Sequence, residues 1–281
     1  MILRLVSDIH LEFDKHGKPS VDLNELLKGD YDVAIFAGDI ATKLNFRRWK
    51  GFEKLVKPTI MIAGNHEFYG ETFPDLIPKL KTEASKFENL HFLENEELLI
   101  NNTPFFGGTM WTGFDGAPGV EKGIAMAIAQ SGMNDFKKIT CHTSKGYTKL
   151  KPHILANYHV EAISKLQSFL EKYKSDSVVV THHAPSIQSS IVSGFANDPI
   201  NAAYSANCES LINRYQPRLW VHGHIHNSVD YYLGDTHILS NPHGYIDVKN
   251  PKFKPDFNIS VTSELKMPKQ ENILLYQAKV V

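Results

Sequence analysis

Residues 33–39 read VAIFAGD, five consecutive apolar residues followed at once by Gly38 and Asp39. Four other runs have the same character: each is short, almost continuously apolar, and soon followed by Asp, Asn or His. They are residues 1–6, 59–63, 178–180 and 219–221. A strand that is covered on both faces shows this continuous apolarity, whereas a strand with one wet face alternates. The five runs therefore predict five buried strands that deliver polar residues at their carboxyl ends.

Three amphipathic helices are predicted between these strands, at residues 45–55, 75–87 and 160–173. Apolar residues recur there every three or four positions, as at Phe46, Trp49, Phe52 and Leu55, which is the spacing of a helix with one face on the core. Strands that alternate with helices indicate a layered α/β domain. Residues 107–144 and 185–205 have no clean period and are predicted to be long loops or irregular segments that follow strands, where substrate specificity often lies.

We expect one domain over residues 1–281, with a polar C-terminal extension from about residue 250 that contains Pro251, Pro255 and Pro268. Near the end of this extension, residues 273–276 read ILLY, which indicates a last edge strand. No internal repeat or linker divides the chain. The predicted organisation is therefore a single α/β unit.

The composition excludes several classes of protein. Hydrophobic residues make up 42% and charged residues 22% of the 281 residues, which is ordinary for a soluble globular chain. The net charge of −1 gives no basic field for a long nucleic acid. Two cysteines are too few for a disulfide framework. No run approaches the ~18 apolar residues of a membrane span, and the apolar run at the N-terminus is too short to be expected to act as a signal segment. A cytoplasmic location without membrane contact is expected.

Seven polar residues at the ends of the five predicted strands are candidate metal ligands. Because the carboxyl ends of parallel strands meet at one edge of a sheet, these side chains should converge. Asp8 and His10 are two positions apart, so an extended chain would point both the same way. Imidazole and oxygen donors suit divalent Mn, Fe, Zn or Co. The seven candidates are Asp8, His10, Asp39, Asn65, His182, His224 and His226.

Seven ligands exceed the four to six or so that one ion takes, so two ions that share Asp39 are predicted. Gly38, Gly64 and Gly223 each precede a candidate, as expected where the backbone approaches an ion closely. Two ions ~3.5–4 Å apart clamp the attacking and leaving oxygens of an in-line displacement at phosphorus. A water that bridges two cations loses a proton readily and becomes the nucleophile. The ligand set thus predicts metal-dependent hydrolysis of phosphoesters.

The ordered blocks of this sequence resemble those of the calcineurin-like metallophosphoesterase superfamily. They are D-x-H at 8–10, GD at 38–39, GNHE at 64–67, His182, and GHxH at 223–226. The stretches GTMWT at 108–112, THHAP at 181–185 and SNPHGY at 240–245 are similar to a bacterial-type, stand-alone branch. The resemblance implies a four-layer αββα sandwich of two mixed β-sheets flanked by helices. A dinuclear metal site would lie at the carboxyl ends of the strands.

The resemblance also implies a role for each residue. Asp8, His10 and His226 would hold one ion; Asn65, His182 and His224 would hold the other, with Asp39 shared. His66 would bind no metal and would act as a general acid at the leaving-group oxygen. Glu67 is expected to orient or pack. For His183 and His222, a hydrogen bond near the ligands is expected rather than coordination.

Several alternatives stay open. The expected substrate is a small, nucleotide-like phosphoester, and manganese is the favoured metal. Monoesterase and diesterase activity are not distinguished. Lysines at 137–138 and 145–151 keep a nuclease open. A scaffold or binding module on the same fold would show a large apolar patch and an empty cleft. A one-metal hydrolase acting on carbon–nitrogen or ester bonds would hold a single ion with His224 and His226 and turn Asn65 away. The oligomeric state is not predicted.

The roles of four further residues have two interpretations each. Tyr69, Trp111 and Phe114 either stack on a base or pack in the core. His243 either touches a substrate phosphate or has a structural partner.

Overall fold

The computed structural model describes residues 1–14, 20–144, 146–194 and 198–261. These ranges contain sixteen strands and seven α-helices. The strands are β1 Ile2–Val6, β2 Val33–Ala37, β3 Thr59–Ile62, β4 Thr72–Phe73, β5 Leu90–Phe92, β6 Glu96–Ile100, β7 Thr103–Gly108, β8 Thr140–Thr143, β9 Gly146–Lys149, β10 Val178–Thr181, β11 Leu219–Val221, β12 Val229–Leu233, β13 Thr236–Ser240, β14 Gly244–Tyr245, β15 Val248–Lys249 and β16 Asn258–Ser260. The helices are α1 Leu23–Leu26, α2 Leu76–Ala84, α3 Lys122–Gly132, α4 Asp135–Lys138, α5 Pro152–Tyr173, α6 Gln188–Val192 and α7 Glu209–Tyr215.

Two mixed sheets contain all five predicted strands. The first has the order β16-β1-β2-β3-β5, in which β1, β2, β3 and β5 are parallel and β16 is antiparallel at the edge. The second has the order β12-β13-β11-β10-β7-β6, parallel in its four central strands and antiparallel at both edges. The predicted strand runs are confirmed.

The sheets pack face to face because their strands bury side chains on both sides. Val33 and Ile35 of β2 join a cluster with Val178 and Val180 of β10, which fills the space between the sheets. On the outer face of the first sheet, Phe36 packs in a cluster that includes residues of α2. On the outer face of the second, Val179 and Trp220 pack with residues of α5 and α7. The predicted four-layer αββα sandwich is confirmed.

Two of the three predicted helices are present. The pattern at 75–87 corresponds to α2, and the pattern at 160–173 is the C-terminal part of α5, which begins earlier, with Pro152 in its first turn. The helix predicted at 45–55 is wrong: Asn45–Arg48 and Phe52–Lys54 are separate 3₁₀ turns. Gly51 lies between them with φ of 108°, which no α-helix can contain. The apolar residues of this segment still pack in the core.

The predicted loops contain more regular structure than expected. Residues 107–144 include α3, α4 and β8, so the loop prediction is wrong there; α3 is rich in Ala, Gly and Met and buries only Ala125 and Ala129, which leaves no clear apolar period. Residues 185–205 include α6 and the 3₁₀ turn Pro199–Ala203. The strand predicted at 273–276 lies outside the described residues. Among the described helices, none has the length and apolarity needed to cross a membrane.

Candidate metal centre

The candidate ligands lie where the carboxyl ends of strands from both sheets meet. Asp8 and His10 follow β1, Asp39 follows β2 and Asn65 follows β3, all in the first sheet. His182 follows β10, and His224 and His226 follow β11 in the second. The backbone N–H of His224 donates to Asp8 Oδ1 at 3.1 Å and so joins the two sheets at this edge. The five strand ends therefore converge as predicted.

The backbone at the centre is left-handed at four of the candidates, with φ of 54° at Asp8, 55° at His10, 54° at Asp39 and 65° at His224. The extended chain expected from Asp8 to His10 is therefore wrong. Such conformations cost on the order of 1–3 kcal/mol each and persist only where the surroundings hold them. Here Asp39 Oδ1 accepts the backbone N–H of His66 at 2.8 Å, which helps to hold the turn after β2.

One group of ligand atoms contains Asp8, His10 and His226. His226 Nε2 lies 3.3 Å from Asp8 Oδ1 and 3.1 Å from His10 Nε2. All three side chains converge on one point, although the ring of His226 is partly exposed. This is the set predicted for one ion.

A second group contains Asp39, His182 and His224, with Asn65 beside it. Asn65 Oδ1 lies 3.1 Å from both His182 Nε2 and His224 Nδ1. Asp39 Oδ2 lies 3.4 Å from His182 Nε2 and 3.8 Å from His10 Nε2. One carboxylate oxygen therefore faces both groups, which is the position predicted for a shared ligand.

The residues present fit divalent cations. The donors are imidazole nitrogens and carboxylate or amide oxygens, the set that Mn, Fe, Zn and Co share. Although burial opposes it, the carboxylates of Asp39 and Asp8 raise the pKa of His182 to about 10, and the same negative field favours a bound cation. His224 Nε2 is buried without a hydrogen-bond partner among the described residues. The centre thus brings several electron-pair donors together, and one of them, His224 Nε2, has no partner among the described residues.

A cavity of about 630 Å³ opens on this centre. Tyr69, Tyr204 and Tyr245 line it beside the candidate ligands, and Lys249 is the only lysine or arginine among its described lining residues. Of the aromatic residues considered for base stacking, Tyr69 is placed here, whereas Trp111 and Phe114 are buried in the core. His243 is buried and donates from Nδ1 to Gly244 O at 3.0 Å. This contact agrees with a structural partner for His243 rather than with a contact to substrate phosphate.

The model of the calcineurin-like phosphoesterase family matches residues 3–228, a range that includes all seven candidate ligands. The chain belongs to this family. Its members are dinuclear metal enzymes, and the chain is a hydrolase that acts on phosphoester bonds.

One relative in sequence and one solved structure extend the comparison. The chain is 26% identical over 274 residues to the uncharacterized protein L509 of Acanthamoeba polyphaga mimivirus, a match that covers 90% of this chain and 94% of that protein. The solved structure of the phosphopantetheinyl hydrolase PptH from Mycobacterium tuberculosis matches with a TM-score of 0.68 at 17% identity, over 87% of this chain and 90% of that one. The second likeness shows a shared fold.

Asp135 orients Asn65 in this phosphoesterase, a contact that sequence analysis missed. Asp135 Oδ1 accepts from Asn65 Nδ2 and from Tyr69 Oη, both at 2.8 Å. With its amide nitrogen engaged there, Asn65 presents its oxygen to His182 and His224. Asp135 lies at the start of α4, in the segment predicted to be a loop, and 70 positions from Asn65. No local pattern signals the pair.

Glu67 holds the loops after β2 and β3 together. Its carboxylate accepts the backbone N–H of Asp39 at 3.0 Å, of Ile40 at 2.9 Å and of Gly64 at 2.7 Å. Burial and the neighbouring Asp39 carboxylate raise the pKa of Glu67 to about 8. The geometry agrees with the orienting role predicted for Glu67.

His66 lies at the cavity edge of the centre. Its Nε2 is 4.0 Å from Asp39 Oδ2 and 3.3 Å from Tyr245 Oη, and its Nδ1 is 2.6 Å from Glu12 Oε1. Burial lowers the pKa of His66, but the carboxylates of Asp39 and Glu12 outweigh this and raise it above its ordinary value. Glu12 is not among the residues predicted from the sequence, where the one available signal is its position two residues after His10.

His183 and His222 are buried beside the ligands, and their hydrogen bonds go to other residues. His183 donates from Nδ1 to Thr109 O at 3.1 Å, and its ring lies 4.3 Å from that of His224. His222 Nε2 is hydrogen-bonded to Ser189 Oγ at 3.0 Å. Burial and the charge of His182 lower the pKa of His183 to about 3, and burial lowers that of His222 to about 4. Both rings are therefore neutral packing partners of the centre.

Proposed function

We propose that this protein hydrolyses a small phosphoester at two divalent ions, preferably manganese, with His66 as the general acid. The observation that carries the proposal is the position of Asp39 Oδ2. This one oxygen lies within 4.0 Å of His10 Nε2, His182 Nε2 and His66 Nε2, between the two ligand groups and the cavity.

Each ligand group would hold one ion. Asp8, His10 and His226 would form the first site, Asn65, His182 and His224 the second, and Asp39 would be shared by both. When bound, the ions would activate a water for in-line attack and neutralise the phosphoryl oxygens. The amide oxygen of Asn65 faces His182 and His224, which supports two ions over the one-metal alternative.

The protein's own residues would orient the ester and protonate its leaving group. Because Nδ1 of His66 faces Glu12, Nε2 is the nitrogen that faces the cavity and reaches the leaving-group oxygen. The raised pKa of His66 keeps a larger fraction of this ring protonated near neutral pH. His66 would thus deliver a proton where negative charge develops.

The lining of the cavity supports a small substrate over a nucleic-acid polymer. A bound polymer is expected to meet several cations along its phosphates, and Lys249 alone provides one among the described lining residues. Tyr69, Tyr204 and Tyr245 offer faces for an organic group. A comparison of nitrophenyl monoesters, diesters, cyclic nucleotides and a phosphopantetheinyl ester would define the substrate class; the last is suggested by the name of the solved relative.

The proposal predicts different effects for two substitutions. Asp39→Ala should lose both ions and all hydrolysis, since both sites share this side chain. His66→Ala should keep both ions but slow esters with poor leaving groups by about a hundredfold or more, because a general acid contributes about 10²–10⁴. Metal analysis of each purified variant measures the bound ions, and Mn²⁺-dependent hydrolysis of aryl phosphodiesters measures the activity.

His153→Ala is a matched control, because His153 is exposed on α5; it should retain metal content and activity. A wild-type protein that binds no transition ion and hydrolyses no ester with Mn²⁺ would contradict the proposal and favour the scaffold alternative. Cleavage of single-stranded nucleic acid in preference to every small ester would favour the nuclease.

A further inference from the structure

Glu12 contacts two histidines of the centre through one oxygen. It lies in the 3₁₀ turn Leu11–Phe13, which begins directly after the left-handed residue His10 and turns the chain back toward the site. Glu12 Oε1 is 2.6 Å from His66 Nδ1 and 3.2 Å from His10 Nδ1. The side chain is 13% exposed, so water competes little for these contacts. The carboxylate thus links a proposed ligand to the proposed general acid.

The chemistry of these contacts determines where both rings carry their protons. An ionised carboxylate can only accept hydrogen bonds, so the Nδ1 atoms of His10 and His66 must both be donors. In each neutral ring, Nε2 then carries the lone pair. For His10 this lone pair faces Asp39 and His226; for His66 it faces Tyr245 Oη in the cavity. Both rings are fixed with Nε2 toward the reacting region.

We propose that Glu12 is a positioning residue of the reaction, which sets the tautomer and orientation of His66 and of His10 together. This inference rests on the proposed function, in which the doubly protonated ring of His66 would donate its Nε2 proton to the leaving group and become neutral with its remaining proton on Nδ1, while His10 Nε2 would bind an ion. Glu12 is neither one of the candidate ligands nor one of the described residues that line the cavity, so it would touch neither ion nor substrate. It acts by holding the rings of His66 and His10 in a fixed relative orientation, so that the proposed proton donor keeps a constant position relative to the proposed ligand.

The decisive comparison is Glu12→Ala with Glu12→Gln. Glu12 accepts both hydrogen bonds, from His10 and from His66, at Oε1, and its Oε2 is buried without a partner among the described residues. An amide oxygen at the Oε1 position could therefore still accept both bonds. We expect Glu12→Ala to lose the positioning and Glu12→Gln to restore most of it. Glu25→Ala, on the exposed part of α1, is the control for a deleted glutamate.

The kinetic readout is how the hydrolysis rate at saturating Mn²⁺ depends on the leaving group of the ester. Glu12→Ala should slow hydrolysis of a phenyl phosphodiester at least about tenfold more than that of the nitrophenyl ester, because the poorer leaving group needs the proton more. Its affinity for Mn²⁺ should also fall by about 10–100-fold, as when the carboxylate partner of a ligating histidine is removed. Glu12→Gln should stay close to wild type in both respects.

A second readout needs no activity. Long-range ¹H–¹⁵N spectra of the full-length, metal-free protein at alkaline pH show which ring nitrogen is protonated, and His66→Ala assigns the signals of His66. Wild type and Glu12→Gln should carry the proton on Nδ1, and Glu12→Ala should shift it toward Nε2. An unchanged tautomer, or equal slowing of both esters in Glu12→Ala, would overturn the inference. A wild type that hydrolyses neither ester would instead refute the proposed function, while the spectra would still decide the role of Glu12.

Discussion

Gly64 occupies a place where a side chain would collide with two candidate ligands. A Cβ atom there would lie 2.1 Å from Asp39 Oδ1 and 2.6 Å from His182 Nε2. Gly38 is similarly close, at 2.4 Å from His182 Nδ1. These two glycines are present because ligand atoms from neighbouring strands approach the backbone itself. At the scale of the residue, the geometry of the centre therefore depends on two positions without a side chain as well as on the candidate ligands.

Gly64→Ala tests this requirement. The new methyl group should displace Asp39 and His182, so we expect loss of metal from the site and destabilisation by about 1–3 kcal/mol, the usual effect of overpacking. Urea unfolding and metal analysis measure the two effects.

Gly123→Ala is the matched control for Gly64→Ala. Its Cβ would come no closer than 3.4 Å to a neighbour, at Glu121 Oε1, and it lies in α3, where alanine is favoured. It should be neutral or stabilising by up to about 1 kcal/mol. If Gly64→Ala bound both ions with wild-type affinity, the close-approach explanation would be wrong.

At the scale of the elements, Glu94 connects the end of β5 to β7 and α5. Its carboxylate accepts from the backbone N–H and the hydroxyl of Thr109, at 3.1 and 2.7 Å, and from Tyr158 Oη at 3.2 Å. Burial raises the pKa of Glu94 to about 7 despite these donors. The group lies outside the metal centre, and we expect its raised pKa to make the stability of the sandwich depend on pH.

The sign of this dependence follows from the raised pKa. Between the unfolded pKa of about 4.5 and the folded pKa of about 7, the folded protein holds a proton that the unfolded chain has released. The free energy of unfolding therefore falls as pH rises through this window, and the loss is complete above about pH 7. Between pH 5 and 8, wild type should lose about 2 kcal/mol more than Glu94→Gln, which cannot ionise.

Urea unfolding at several pH values in the presence of a chelator measures this difference. Glu88→Gln changes an exposed glutamate and should keep the wild-type slope. Parallel pH profiles for wild type and Glu94→Gln would show that Glu94 does not bind the extra proton in the folded protein.

At the scale of the whole molecule, the candidate centre joins the two sheets. Asp8, Asp39 and Asn65 come from the first sheet, and His182 and His224 from the second. Between the sheets, apolar packing holds the layers without directional bonds. Ions held by ligands from both sheets would bind the folded protein alone, because the unfolded chain does not bring these residues together.

Bound metal should therefore stabilise the protein by mass action. With Mn²⁺ at about 100 times its Kd the gain is about 2.7 kcal/mol for one site, which corresponds to a rise in Tm of about 5–10 °C. Calorimetry with Mn²⁺ and with a chelator measures the shift. Asp39→Ala should show almost none, and an equal shift in wild type and Asp39→Ala would place the stabilising ions elsewhere.

The strands and the candidate ligands were predictable because their signals are local. An apolar run followed by Asp, Asn or His is visible within eight residues, and the order of five such runs resembles one family. The helices were less predictable from the sequence. The apolar spacing at 45–55 is compatible with two 3₁₀ turns once Gly51 separates them. The segment 107–144 contains helix α3, whose small residues leave no apolar stripe.

The sequence by itself determined which side chains are available for metal binding and which strands present them, because strand period and residue chemistry act over short distances along the chain. The tertiary structure alone decided how those side chains are aimed. The left-handed turns at Asp8 and Asp39 are held by contacts across strands, and Glu12 meets His66 from 54 positions away. Such contacts depend on how the layers pack, which no local pattern encodes.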